Sequence, residues 1–316
     1  MISIILPTYN VAKYIERCIN SLNDQDFKDI EMLFIDDCGQ DESRDIINSF
    51  AQYDPRIKII TNKYNMGTHH ARKVGVDNAK GDYILFLDPD DELEKSFLTL
   101  LNDKISEKKV DMIFHGVKCV PKEKWYQKKL RALPFSESKN LLKAIYKRGG
   151  KKVVSCGLAG KVYERRFISD VYNSLSIDPD FKYTYEEDKL LFYAAVLRNP
   201  TYNILKSAGY IYHYNDSSIT NKNKLQNPEP LIKQLEFTIN EIEKLVSQYK
   251  LDKEDRNFFN FLLNHSAISQ MNLMRRYENN GENYLHYVLK AYRSAPSINQ
   301  IIRILAFGAS FGKLKL

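Results

Sequence analysis

Nowhere in its 316 residues does the chain hold an apolar run approaching the roughly 18 to 20 residues of a membrane-spanning helix, so an integral membrane protein is not expected. Cysteine is scarce: Cys18, Cys38, Cys119 and Cys156 are scattered without a CxxC pair or zinc-ligand spacing, which fits reduced thiols better than a disulfide or zinc framework. The first residues lack the basic n-region and small-residue cleavage site of a signal peptide, and a cytoplasmic location is the expectation. The first apolar segment is not followed by G-x-G-x-x-G, which argues against a dinucleotide-binding enzyme. The glycine and lysine signals of a triphosphate site are missing there too, which argues against a nucleotidyltransferase. No DNA or RNA recognition motif is present, and the aromatics, 12% of the chain, fall in apolar-periodic segments rather than among basic residues; no nucleic-acid partner is expected. There is no internal repeat and no low-complexity linker.

What is present is ordinary soluble composition, 43% hydrophobic and 28% charged. The length allows one large domain, or one with a sizeable appendage, to bury a core. Net charge is +7, from 47 Lys and Arg against 40 Asp and Glu; this fits either an ordinary basic surface or an anionic partner such as a nucleotide phosphate or a membrane face. The first hundred residues alternate. Ile2 to Pro7 reads as a strand, and Val11, Tyr14, Ile15, Cys18, Ile19 and Leu22 form one face of a helix. Strands over Glu31 to Asp36, Ile57 to Thr61 and Asp82 to Asp88 follow, with helices around Ile46 to Phe50 and His69 to Ala79 between them. The alternation predicts an α/β fold with a mostly parallel sheet flanked by helices.

Ligands of such sheets bind beyond the carboxyl ends of the strands. Three exits there are polar: Pro7-Thr8-Tyr9-Asn10, Asp36 to Asp41, and Asp88-Pro89-Asp90-Asp91. Asp88, Asp90, Asp91 and Glu92 would repel one another unless a cation or solvent balanced them. Mg²⁺ or Mn²⁺ suits carboxylate oxygens and shares its shell with phosphate. The alternative is a helix cap, with Asp90 or Asp91 heading a helix from Leu93 to Leu101. Asp36 and Asp37 admit a turn role beside that of a base-binding carboxylate, and Asp41 can cap the next helix. Arg72, near the start of a helix, can meet a diphosphate or simply be solvated. His69 and His70 are adjacent and diverge on a helix, which disfavours a metal pair.

The ordered set PTYN, DDCGQD, NMG with ARKVG, and GDYILFLDPDD resembles the inverting glycosyltransferases of family 2 with a GT-A fold. The resemblance covers residues 1 to about 100 and returns near 157–192 and 209–221. It implies that Pro7, Thr8 and Tyr9 line the base and ribose and that Asp37 holds a uracil edge with Asp36 beside it. It also implies that Arg72 faces the nucleotide, that Asp88 reaches ribose and metal, and that Asp90 is the main metal ligand with Asp91 in support. Lys161, in a segment resembling W-x-K-[LV]-Y, joins the nucleotide-sugar set, while Ala159 stands where tryptophan is usual and leaves the acceptor wall without its stacking surface. Glu186-Glu187-Asp188 resembles the family's ED motif, with Asp188 as the base and Glu187 toward the acceptor; by itself the cluster also reads as acids favoured at a helix start. His213 stands where an arginine is usual and joins the nucleotide-sugar set, able to touch the diphosphate or metal with one neutral donor in place of a charged fork; the alternative is a core or surface histidine.

After Pro228 the pattern becomes helical, with Leu231, Leu235, Ile239, Ile242, Leu245 and Tyr249 on one stripe and Phe258, Phe261, Leu262, His265 and Ile268 on another. The stretch from Ile298 to Leu316 mixes apolar and basic residues that can either pack on the protein or rest on an anionic bilayer. The expectation is a catalytic domain over 1–225, with a nucleotide-binding half 1–100 and an acceptor half 101–225, and a helical extension over 226–316. The expected activity is transfer of a sugar from a nucleotide-diphosphate donor, with Mn²⁺ or Mg²⁺, to a glycan or lipid-linked glycan, at the inner face of the cell membrane. The rival is a nucleotide-sugar-binding scaffold without activity, against which the acids at 88–91 and 187–188 speak.

Overall fold

The computed structural model describes residues 1–120, 156–215 and 229–253, with isolated positions 141, 255, 256, 259, 263, 289, 305 and 309 besides. The chain divides into two compact units, Met1–Asp216 and Ser217–Leu316; the boundary expected after residue 225 lies outside the described residues.

The first unit begins as the alternation predicts. β1 (Ile2–Thr8), α1 (Ala12–Asn23), β2 (Ile30–Asp36), α2 (Ser43–Ala51), β3 (Ile57–Thr61), α3 (Thr68–Asn78) and β4 (Tyr83–Phe86) follow in turn. β1 pairs in parallel with β2 on one side and β4 on the other, and β2 pairs in parallel with β3. Every residue of β2 is buried, as expected of a parallel strand covered on both faces. Its one misplaced acid, Glu31, is satisfied by Ser3 Oγ at 2.7 Å and Lys58 Nζ at 2.6 Å. The core between sheet and α1 includes Ile4, Leu6, Ile15, Ile19, Leu22 and Phe34, each worth about 1.5–3 kcal/mol relative to exposure.

β5 (Glu92–Leu93), α4 (Phe97–Glu107), β6 (Met112–Val120), β7 (Lys161–Glu164), α5 (Arg165–Asn173), α6 (Glu187–Leu197) and β8 (Tyr202–His213) complete this unit as described. The eight strands form one sheet in the order β3-β2-β1-β4-β7-β6-β8-β5. β7 is antiparallel to both its neighbours, β4 and β6, and β6 and β8 are again parallel. This is the helix-flanked, mostly parallel α/β sheet of the GT-A type. One expectation is corrected. The helix expected from Leu93 begins at Phe97 with Ser96 as its cap residue, because Glu92 and Leu93 pair instead with Ile211 and Tyr210 of β8. Asp90 and Asp91 therefore cap no helix.

In the second unit, α7 (Glu229–Gln248) buries Leu231, Leu235, Ile239, Ile242 and Leu245 as one stripe. The residues of the second stripe, Phe258, Phe261, Leu262, His265 and Ile268, lie outside the described residues, as does the C-terminal stretch apart from Leu305 and Ala309.

Candidate active site

The parallel strands place the exits of β1, β2 and β4 side by side on one edge of the sheet, and hydrogen bonds fix the first two together. Asn10, in the left-handed region at φ 53°, accepts the Gln40 N–H at 2.7 Å through its side chain. Asp41 accepts the N–H groups of Ala12 at 2.8 Å and Ser43 at 3.1 Å, so one carboxylate serves the starts of both α1 and α2. Thr8 is buried with its hydroxyl donating to the Leu6 carbonyl, and its own carbonyl accepts the Asp37 N–H at 2.9 Å. Pro7 is half-buried, whereas Tyr9 is exposed and leaves a ring face available, with the Lys182 ammonium 5.8 Å from its centroid.

Asp36 accepts the Gly39 N–H at 3.3 Å and lies 3.9 Å from Arg44. Asp37 is more heavily engaged: it accepts from Asn62 Nδ2 at 2.8 Å, Met66 N–H at 2.9 Å and Gly67 N–H at 2.8 Å. A carboxylate has about four acceptor positions, so Asp37 shapes the loop before α3 and keeps little capacity for anything else. Gly67 in that loop has φ 89°, and a Cβ there would lie 2.9 Å from the Tyr183 carbonyl oxygen.

α3 packs close to β1 because Gly75 has no side chain; a Cβ would lie 2.4 Å from Ile5 Cγ2. One turn earlier, Arg72 is carried into the protein with 7% of its side chain exposed. Its guanidinium donates to Asp88 Oδ1 at 2.9 Å and Glu187 Oε1 at 2.8 Å, joining the β4 exit to the start of α6. Burial alone would favour loss of its proton, but the Asp88 and Glu187 charges outweigh that and hold it cationic.

α6 starts under constraint. Glu186 is non-glycine in the left-handed region at φ 66°, a conformation that costs on the order of 1–3 kcal/mol and persists only where its surroundings impose it. Tyr183 O–H donates to its carbonyl at 3.2 Å, and Lys189 pairs with its carboxylate. Burial, then the neighbouring Asp188 charge, pushes the Glu187 carboxyl up despite Arg72. Burial also pushes Asp188 up, against the pull of Arg72 and of the Lys189 N–H that donates to it at 2.7 Å.

At the β4 exit the acids are separated by their surroundings. The Asp88 side chain is 41% exposed. Asp90 accepts from Asn215 Nδ2 at 3.0 Å, and its carbonyl accepts from Arg17 Nη2 at 2.5 Å. Burial, then the Asp88 charge, raises its carboxyl. Asp91 is fully buried; its two oxygens accept from Tyr210 O–H and the His213 backbone N–H, each at 2.7 Å. Both Asp91 oxygens are thus engaged in anchoring the acidic turn to β8. Among the described residues no three His, Cys, Asp or Glu side chains gather at one point.

Other expected residues also have internal tasks. Lys161 is buried, donates to the Gly157 carbonyl and lies 4.7 Å from the Phe192 ring centroid; burial lowers its pKa to about 8. Its ammonium ties its own loop at Gly157. Glu187, expected toward the acceptor, is buried against Arg72, and Ala159 packs against the core cluster. His213 places Nε2 2.5 Å from Glu92 Oε1. His69 lies among Tyr172, Tyr183 and the edge of His70, and burial lowers its pKa to about 3. The motif reading missed Asn62, Tyr183 and Tyr210; only Tyr210 carried a visible signal, beside His213 in the same patch.

A family model described as glycosyl transferase family 2 matches residues 3–171. The chain belongs to glycosyl transferase family 2. Among curated relatives it is 30% identical over 113 residues to glycosyltransferase GlyG of Streptococcus pneumoniae, covering 36% of this chain and 38% of that protein. It is 36% identical over 107 residues to the GalNAc(5)-diNAcBac-PP-undecaprenol beta-1,3-glucosyltransferase of Campylobacter jejuni, covering 34% of this chain and 35% of that one. The chain thus matches little more than a third of the length of these family 2 relatives. Among solved structures it resembles S. aureus TarS 1–349 in complex with UDP-GlcNAc, with TM-score 0.70 and 22% identity over 98% of this chain and 87% of that one. That likeness shows the fold.

Proposed function

We propose that this family 2 chain transfers a sugar, with inversion, from a nucleotide-diphosphate donor, a UDP-sugar, to a hydroxyl of a glycan or lipid-linked glycan in bacterial surface-polysaccharide synthesis. The observation that carries the reading is the Arg72 bridge, which ties the acidic exit of β4 to the carboxylate pair at the head of α6. A donor held at the strand exits would present its sugar toward those carboxylates. The UDP-GlcNAc complex of TarS and the glucosyltransferase name of the Campylobacter relative support the donor and acceptor classes.

Asp88 and Asp90 fit Mg²⁺ or Mn²⁺: both offer hard oxygens, Asp88 is open to solvent, and burial and then the Asp88 charge raise the Asp90 carboxyl, so a cation would relieve their repulsion. Such an ion would supply charge stabilisation to the departing diphosphate. Tyr9 offers its ring to the base, and Asp37 keeps the loop before α3 in place beside it. Arg72 holds Glu187 in an ion pair, which leaves Asp188 to take the acceptor hydroxyl's proton. Burial raises the Asp188 carboxyl, making it a stronger base than a solvated aspartate. The net basic charge and the C-terminal stretch support contact with an anionic membrane surface.

Asp188→Asn separates binding from transfer. UDP-sugar binding should persist while UDP release in the presence of acceptor falls by about 10²–10⁴-fold, the usual worth of a general base; near-wild-type turnover would remove Asp188 from that role. EDTA should abolish UDP binding, and undiminished affinity would count against the metal. A screen of UDP-sugars by UDP release identifies the donor.

A further inference from the structure

Asp90 is held from two directions by residues outside the acidic motif. Its Oδ2 accepts from Asn215 Nδ2 at 3.0 Å, and Asn215 Oδ1 in turn accepts the Tyr14 O–H at 3.1 Å. Tyr14 is on α1, whose Arg17 one turn later donates to the Asp90 carbonyl and pairs with Glu92 at 2.9 Å. Asn215 lies two residues beyond β8, whose end is already fixed to Asp91. Two elements far apart in sequence therefore meet at Asp90: α1 reaches its carbonyl through Arg17 and its carboxylate only through Asn215, just beyond β8.

We infer that Asn215, oriented by Tyr14, is a positioning residue that fixes the Asp90 carboxylate for a divalent cation. The inference rests on the metal reading of Asp88 and Asp90. The donor chemistry favours it. An arginine or lysine at this position would neutralise Asp90 and compete with a cation, whereas a neutral amide fixes one oxygen and leaves the negative charge in place. Arg17 directs its guanidinium to the Asp90 carbonyl and to Glu92, not to the Asp90 carboxylate. With Oδ2 held by the amide, Asp90 and Asp88 would be the residues to hold the ion. Without the amide, the carboxylate can turn about its last torsion, and the ordering cost falls on ion binding.

The test is Mn²⁺ binding in the presence of UDP, followed by loss of the free-ion electron paramagnetic resonance signal, with the full chain. Asn215→Ala should weaken Mn²⁺ by about 10-fold or more, the usual cost of removing a partner of a ligating carboxylate. Tyr14→Phe should weaken it less, and Tyr14→Phe with Asn215→Ala should equal Asn215→Ala alone, because the tyrosine acts only through the amide. Transfer at saturating Mn²⁺ should recover in both single variants. Unchanged Mn²⁺ affinity in Asn215→Ala, with Asp90→Asn losing it, would overturn the inference and leave the proposed function standing. Absence of Mn²⁺ binding by the wild type would overturn both. Should Asn215→Ala fail to fold, Tyr14→Phe decides, since it removes one hydroxyl and no packing; wild-type affinity there would overturn the relay.

Discussion

The chain carries two short acidic turns, Asp88 to Glu92 and Glu186 to Asp188, that look alike in sequence and end in different surroundings. The first keeps Asp88 open to solvent and ties Asp90 and Asp91 to β8 with neutral donors: an amide, a phenol and a backbone N–H. The second is buried, and its partners are cations, Lys189 at Glu186 and Arg72 at Glu187, the latter shared with the first. A carboxylate held by a neutral donor, as Asp90 is, keeps its charge for a ligand. An acidic turn buried beside a cation keeps a carboxyl with a raised proton affinity, suited to acid–base work. Arg72 is the point at which the two turns depend on each other.

The largest effect should come from cutting that dependence. Arg72→Leu leaves Glu187 buried without its partner, and urea denaturation should show a loss of about 3–5 kcal/mol, as for other broken buried pairs. A loss below about 1 kcal/mol would mean that the turns are independent. Next, the first turn should divide internally. Asp91→Ala strands the Tyr210 hydroxyl and the His213 N–H and should cost about 1–3 kcal/mol of stability. Asp88→Ala, at an exposed side chain, should abolish transfer while costing less than Asp91→Ala in the same denaturation assay. Equal costs would erase the distinction between anchor and ligand.

How much of this was legible in the sequence follows from the range of the interactions. The β1 to β4 alternation was readable because apolar periodicity and polar exits are local signals, and the strand bounds agree within a residue or two. β8 was not read as a strand, and α4 was started too early, because both depend on the pairing of Glu92 and Leu93 with Tyr210 and Ile211 across the fold. Among site residues, Asp88 and Asp90 needed only their spacing to be noticed. That Asp91 faces inward, that Lys161 serves its own loop and that Arg72 joins two turns are facts of tertiary burial. A charged residue in a motif shows its chemistry in sequence; its partner is chosen by the fold.

The smallest effect expected is on the pH dependence of transfer, and it concerns the second turn alone. The base must be ionised to accept a proton, so activity should be full above the Asp188 pKa and fall as pH drops through it. Because burial raises that pKa, the acid limb of kcat/KM should lie above the ordinary carboxylate range near 4. Glu187 adds a buried negative charge beside Asp188, and the two carboxyls titrate as a pair. Glu187→Gln should therefore lower the limb. The opposite sign would show that Glu187 acts mainly by occupying Arg72, since releasing the guanidinium to other partners would leave Asp188 less stabilised as an anion. An unmoved limb would show that the two carboxyls do not sense each other in the working enzyme, and that the second turn is a helix start with one active acid.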